Sequence, residues 1–193
     1  GGMGAYSPVP QFSQTDINRA VKDVLQPTAT GLSKEGRSFT GILYAGLMMT
    51  SAGPKVIEFN ARFGDPEAQV VIPRLESDLA VVIQDLLNDE TPELKWSDEA
   101  VMGVVAAAKG YPGPYEKGQL IDCVPETELL FFAGVDMTEE KYCTAGGRVL
   151  LLAEKSTCLK EAKAAVYDKL DQLDTTNLFY RTDIGDKAIK QLE

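Results

Sequence analysis

Two apolar, strand-patterned runs stand four residues apart in the first half of the chain, and that spacing forces a hairpin. Phe39 to Met49 is the first, with Gly41 and Gly46 inside it and Thr50 at its end; Lys55 to Phe59 is the second, and Ser51-Ala52-Gly53-Pro54 lies between them. Strand-forming runs joined by so short a link pair antiparallel. Over Val56 to Asn60 the two-residue period of a strand sends Ile57 and Phe59 to one face, and Glu58 and Asn60 to the other, beside Tyr44. A carboxylate and an amide oxygen side by side on a strand suit a hard cation such as Mg²⁺, above all when nucleotide phosphates complete its shell. The same face also reads as the solvated side of an edge strand. Gly41 and Gly46 mark bulges, the close approach of a ligand, or loose packing of the sheet.

The hairpin runs into Arg62-Phe63-Gly64-Asp65-Pro66-Glu67, where three charged side chains leave one short irregular segment at the carboxyl end of a strand. Open α/β sheets bind ligands there. The planar fork of Arg62 suits a carboxylate or phosphate, and Asp65 or Glu67 suits an amine or sugar hydroxyls. A scaffolding role is open for each: Asp-Pro initiates turns, and Arg62 has acids close by to pair with.

Composition narrows the chemistry. The 193 residues are 44% hydrophobic, enough for a core in one large domain or two small ones. With 29 acidic against 19 basic residues the formal net charge is -10. No local basic patch offsets that field, so neither nucleic acid nor a membrane is an expected partner. No stretch is long and apolar enough to span a bilayer, and no signal peptide is recognisable. Cys123, Cys143 and Cys158 are widely spaced and odd in number, and the chain holds no histidine. Free thiols in a reducing, cytoplasmic compartment are expected rather than a disulfide framework or a structural zinc site. Without histidine there is no Ser-His or Cys-His triad, so catalysis falls to carboxylates, cations, backbone amides or a metal.

Residues Gly1 to Pro10 are rich in glycine and proline and read as a loop, able to present amides but lacking the Lys-Ser/Thr ending of a P-loop. Thr15 or Asp16 caps a predicted amphipathic helix that buries Ile17, Ala20, Val21, Val24 and Leu25, kinks at Pro27 and stops at Gly31. A second helix, with Pro73 in its first turn, places Leu75, Leu79, Val82, Ile83, Leu86 and Leu87 in a core. After a polar connector around Trp96, strands are predicted over Val101 to Lys109, Thr127 to Val135, Lys141 to Thr144 and Arg148 to Ala153. A helix through Leu159, Ala162, Val166, Leu170 and Leu173 follows, capped by Ser156 or Thr157, and a short one starts at Asp186. Two parts are expected, residues 1–95 and 96–193. The opening Gly1-Gly2-Met3-Gly4 is no conventional start and Leu192-Glu193 often precedes an engineered tag, so the ends are expected not to be natural boundaries.

Arg62-Phe63-Gly64-Asp65-Pro66-Glu67-Ala68-Gln69 resembles the signature of phosphoribosylamine–glycine ligases. Gly1 to Pro8, Phe39 to Met48, Lys109-Gly110-Tyr111-Pro112-Gly113 and Tyr180-Arg181-Thr182-Asp183-Ile184-Gly185 look like further motifs of that family, in its order and from end to end of the chain. The resemblance implies an α+β fold: the carboxy-terminal half of an ATP-grasp domain with an antiparallel sheet, followed by a small α+β domain. It implies ATP-dependent ligation of glycine to 5-phosphoribosylamine through an acyl phosphate, giving glycinamide ribonucleotide, ADP and phosphate in purine biosynthesis. ATP and Mg²⁺ (or Mn²⁺) would be the cofactors, with Glu58 and Asn60 as metal and nucleotide ligands and Arg62 as the catalytic cation. Gly2, Met3, Gly4, Tyr6, Arg62, Asp65 and Glu67 would line the substrate side. Family members also carry an amino-terminal Rossmann-like domain and nucleotide-clamping strands that find no counterpart here, so the chain is expected to be inactive alone. Another ATP-grasp carboxylate–amine ligase, or a non-catalytic accessory domain, is the alternative. A catalytic remnant would leave Glu58, Asn60 and Arg62 together and open, whereas a binding module would bury or misalign them.

Overall fold

The computed structural model describes residues 2–191; Gly1 of the predicted loop and the terminal Leu192-Glu193 lie outside the described residues. In chain order the elements are β1 (Gly4–Ser7), α1 (Gln14–Ala20), a π-helical turn (Val21–Leu25), α2 (Gln26–Lys34), β2 (Tyr44–Thr50) and β3 (Gly53–Asn60). Then come α3 (Ala68–Val71) with a 3-10 turn (Ile72–Arg74), α4 (Leu79–Leu87), β4 (Ala100–Ala108), β5 (Leu130–Phe132), β6 (Val135–Thr138) and β7 (Lys141–Thr144). The chain continues through β8 (Arg148–Ser156), α5 (Leu159–Leu170), β9 (Leu178–Phe179) and α6 (Asp186–Ile189). All the strand pairs are antiparallel and the class is α+β. Two compact units form. One holds Asp65–Leu75 with the described parts of Gly1–Pro8 and Trp96–Glu193; the other holds Val9–Gly64 and Glu76–Lys95.

The first unit is built on a sheet ordered β1-β4-β8-β5, with β9 beside β1 on the same edge of β4. All nine residues of β4 are buried, because both faces of the sheet are covered. Met102, Val104 and Ala106 meet Ala162, Val166 and Leu170 of α5 on one face. Val101 and Val105 meet Val70 of α3 and Leu151 of β8 on the other. Full burial of a leucine such as Leu150, Leu152 or Leu170 contributes about 1.5–3 kcal/mol each. The strand over Thr127 to Val135 divides into β5 and the start of β6, and Gly134 between them donates to the Arg148 carbonyl (3.0 Å). Cys158 rather than Ser156 or Thr157 occupies the N-cap of α5; both hydroxyls instead donate to Glu161 (2.8 and 2.6 Å).

The amino-terminal segment is a loop only in part. Gly4 to Ser7 pair with Val104 to Val101, so these residues form an edge strand. Its glycines obscured a strand pattern whose alternation is real: Tyr6 packs on the α5 side of the sheet, and Met3 and Ala5 on the α3 side. Gly4 permits this approach, since a Cβ there would lie 2.7 Å from the Gly103 carbonyl oxygen and 3.0 Å from Ile184.

In the second unit β2 and β3 form a two-stranded sheet whose loop is two residues, Ser51 and Ala52, shorter than expected because Gly53 and Pro54 already pair. Such a hairpin needs support. Arg19 of α1 supplies it, donating to the Ala52 carbonyl (3.0 Å) and pairing with Asp23 (3.3 Å). Ser13, not Thr15 or Asp16, caps α1, and Asp16 is its partner in a capping box. The helix passes Pro27 by widening into the π turn just before it, where Gln26 N–H reaches back to the Val21 carbonyl. It also runs through Gly31 and closes by Arg37 N–H donating to the Leu32 carbonyl (2.8 Å). Of the predicted buried face Val24 is buried, Ala20 and Leu25 are half-buried, and Ile17 and Val21 are exposed.

Pro73 belongs to the 3-10 turn rather than to a long helix. Leu75 is extended and bridges Trp96, and Asp78 caps α4 by accepting from Ala80 N–H (2.8 Å). Of the expected core stripe, Val82 is buried while Ile83 and Leu87 are exposed.

Replacing Gly4 by Ala is expected to free β1 from β4, read as faster amide exchange at Ala5 to Ser7 with β4–β8 protection retained. Acid should also loosen the first unit. Glu99 is held below the usual carboxylate range by Lys155, Glu161 by Thr157 and Ser156, Asp174 by Thr176, and Asp183 by Arg181. A lowered folded pKa stabilises above the unfolded value and is lost as pH falls through the folded one. The urea midpoint is therefore expected to be level above about pH 5 and to fall below about pH 4.

Candidate functional site

Strand β3 places Glu58 and Asn60 on one face, and the register puts Gly46 opposite Glu58 and Tyr44 opposite Asn60. The register shifts between Gly46 and Leu47, so Ile57 is the extra residue of a bulge and Glu58 lies just beyond it. Asn60 Nδ2 donates to Glu58 Oε1 (3.2 Å), which fixes the two side chains as a pair. A Cβ at position 46 would stand 3.1 Å from Glu58 Cγ. The glycine thus leaves room for the carboxylate to lie across the strand pair. Glu58 is exposed and Asn60 half-buried.

This donor set fits a hard divalent cation. Both side chains offer oxygen, and the cradle opposite Glu58 has no side chain to fill it. Among the described residues no three acidic or thiol side chains converge as a metal site. Two protein oxygens would thus leave most of a six-coordinate shell to phosphate oxygens and water, the habit of Mg²⁺ with nucleotides.

Arg62 is exposed and donates to the Phe63 carbonyl (2.7 Å); it forms no ion pair among the described residues, so the nearby acids do not neutralise it. Asp65, in the other unit, is taken up by a residue that sequence reasoning did not single out. Arg148 Nη2 donates to Asp65 Oδ2 (2.7 Å), and its Nη1 donates to the carbonyls of Asp65 (3.1 Å) and Gly2 (3.3 Å). Gln69 Nε2 donates to the second carboxylate oxygen of Asp65 (3.3 Å). Glu67 is half-buried at the start of α3, and its carbonyl accepts from Val70 and Val71. Gly2 stands over Pro66, Met3 and Tyr6 pack into the sheet's two faces, and Gly4 pairs in the sheet. The sequence marks Arg148 only as the first residue of the predicted strand Arg148 to Ala153, which says nothing of partners at positions 2 and 65.

Substituting Gly46 by Ala is expected to displace the Glu58 carboxylate without opening the hairpin. The measurement is exchange of the Asn60 side-chain amide protons, which should quicken while the β2–β3 backbone amides stay protected.

Residues 1–68 match the family model for the phosphoribosylglycinamide synthetase ATP-grasp (A) domain, and residues 101–187 match the C domain of the same synthetase. The chain is 60% identical to phosphoribosylamine–glycine ligase of Halalkalibacterium halodurans, over 99% of this chain and 45% of that protein. It is 51% identical to the Listeria innocua ligase, over 97% of this chain and 46% of that protein. The crystal structure of the Thermotoga maritima ligase superposes with a TM-score of 0.83 at 32% identity, covering 94% of this chain and 46% of that one. The chain spans about half the length of the curated relatives it matches. It belongs to the phosphoribosylamine–glycine ligase family of the ATP-grasp superfamily and corresponds to that family's carboxy-terminal region.

Proposed function

We propose that this chain supplies part of the site of an ATP-dependent ligase that joins glycine to 5-phosphoribosylamine, giving glycinamide ribonucleotide, ADP and phosphate. The observation that carries the reading is the Glu58–Asn60 pair, two hard oxygen donors fixed on one strand face opposite a glycine. The family match supports the choice of substrates.

The chemistry asks for charge control at two steps. A glycine carboxylate oxygen attacks the terminal phosphorus of ATP as the bond to the ADP oxygen breaks. The amine nitrogen of phosphoribosylamine then attacks the acyl carbon, phosphate departs with the bonding pair, and the nitrogen loses a proton. Anion approaches anion in the first step, so cations must lie where the charge concentrates. Glu58 and Asn60 would hold Mg²⁺ or Mn²⁺, which when bound neutralises phosphate charge. Arg62, without a carboxylate partner among the described residues, would meet charge on the transferring phosphoryl group. Asp65, Glu67 and the segment from Gly2 to Tyr6 would form the substrate side, with the outer edge of β1 offering backbone amides.

The test is made in a full-length ligase containing this segment. Glu58→Gln is expected to lower kcat/KM about 100-fold and to raise the Mg²⁺ concentration needed for half-maximal rate. Unchanged turnover with unchanged Mg²⁺ dependence would overturn the assignment.

A further inference from the structure

We propose that Arg148 is a positioning residue for the substrate side of the site: it locks the Asp65–Glu67 turn to the amino-terminal segment through its guanidinium and acts by placement rather than by touching substrate. The inference rests on the ligase reading above, because it takes that turn and that segment as the surface that receives substrate.

A guanidinium has five N–H donors in a rigid plane. Nη1 serves two carbonyls, of Gly2 and Asp65, and one Nη2 donor serves the Asp65 carboxylate. Three of the five are thus committed within the protein. The Arg148 side chain is only 20% exposed, against 48% for its partner Asp65. A cation so engaged is poorly placed to greet an incoming anion, yet well placed to fix what it holds. Gln69, one turn further along, takes the other Asp65 oxygen, so the carboxylate is gripped from both sides.

What Arg148 joins is as telling as how. Its acceptors lie on segments far apart in sequence, and both resemble family motifs. Arg148 itself opens β8, where Leu150, Leu151 and Leu152 are buried in the sheet. The guanidinium therefore ties the best-packed strand pair to the start of the amino-terminal segment and to the turn before α3, in addition to their own packing at Met3 and Pro66. A lysine cannot reproduce this grip, since one ammonium is a point charge without the planar fork that spans a carboxylate and two carbonyls. Misplacement of a substrate-binding turn by about 1 Å costs on the order of 100-fold in rate.

Two measurements decide the matter. In the 193-residue chain, Arg148→Met is expected to speed amide exchange over residues 2–4 and 65–69 at least tenfold while β4, β8 and α5 stay protected. Unchanged exchange in those segments, or loss of protection throughout the sheet, would overturn the inference. Asp65→Asn, which weakens the same grip from the other side, should reproduce the local effect and guards against a variant that fails to fold. In the full-length ligase, Arg148→Met is expected to raise KM for glycine or phosphoribosylamine about tenfold and to lower kcat. KM for ATP and the Mg²⁺ dependence should remain within about twofold, and Arg148→Lys should recover part of the loss. Equal damage to all substrates, or none, would overturn it. Absence of ligase turnover in the unmodified full-length enzyme would instead defeat the functional reading, and the exchange measurement would still decide whether Arg148 positions the turn.

Discussion

The pairing of β4 with β8, closed to water on both faces, is the constraint from which the first unit follows. A strand with nine buried residues satisfies its backbone through its neighbours, and here β8 lines one edge while β1 and β9 share the other. The alternation of its side chains then needs two covers, and α5 and α3 provide them. Arg74 braces the junction of the covering turn with the sheet, donating to Ser7 Oγ (2.7 Å) and to the carbonyls of Glu99 (2.8 Å) and Ser97 (2.9 Å). Short segments are held in place around such a core, and the candidate substrate residues of this unit lie in two of them: the amino-terminal segment that pairs with β4 and the turn that carries Asp65 and Glu67.

The second unit is organised differently. Among the described residues its hairpin joins no larger sheet, and much of the unit's apolar surface faces outward: Ile57 is 65% exposed and Leu87 70%. The order it does have is concentrated on the proposed cation pair. The bulge at Ile57, the glycine opposite Glu58 and the amide–carboxylate bond between Asn60 and Glu58 each act on the same two side chains. Among the described residues no helix is long and apolar enough to cross a membrane.

Legibility in the sequence followed the range of the forces involved. The period of two placed Glu58 and Asn60 on a common face, and the pattern of α5 was clear because its buried residues recur at helical spacing. Strand β4 was found because both faces are apolar. Features decided by distant partners were not legible. Gly4 to Ser7 gave no strand signal, since the energy of that strand lies in pairing with residues 101–104. The stripe from Leu75 to Leu87 looked like one helix because periodicity carries no mark for the extended residue at Leu75 or for the cap at Asp78. Arg148 escaped notice for the same reason: its partners at positions 2 and 65 share no local pattern with it.

The bond from Arg19 to the hairpin loop has a mechanical side. It ties α1 to the turn between β2 and β3, at the end of the strands away from Asn60. A ribbon held at its loop and flanked by α1 and the π-helical turn is stiffest at the held end and more compliant toward the far tip. Asn60 sits near that tip and Glu58 just behind it, beyond the bulge at Ile57. Binding a cation across the pair would therefore draw on bending of the ribbon rather than on sliding of one strand past the other, and α1 would serve as the anchor against which it bends.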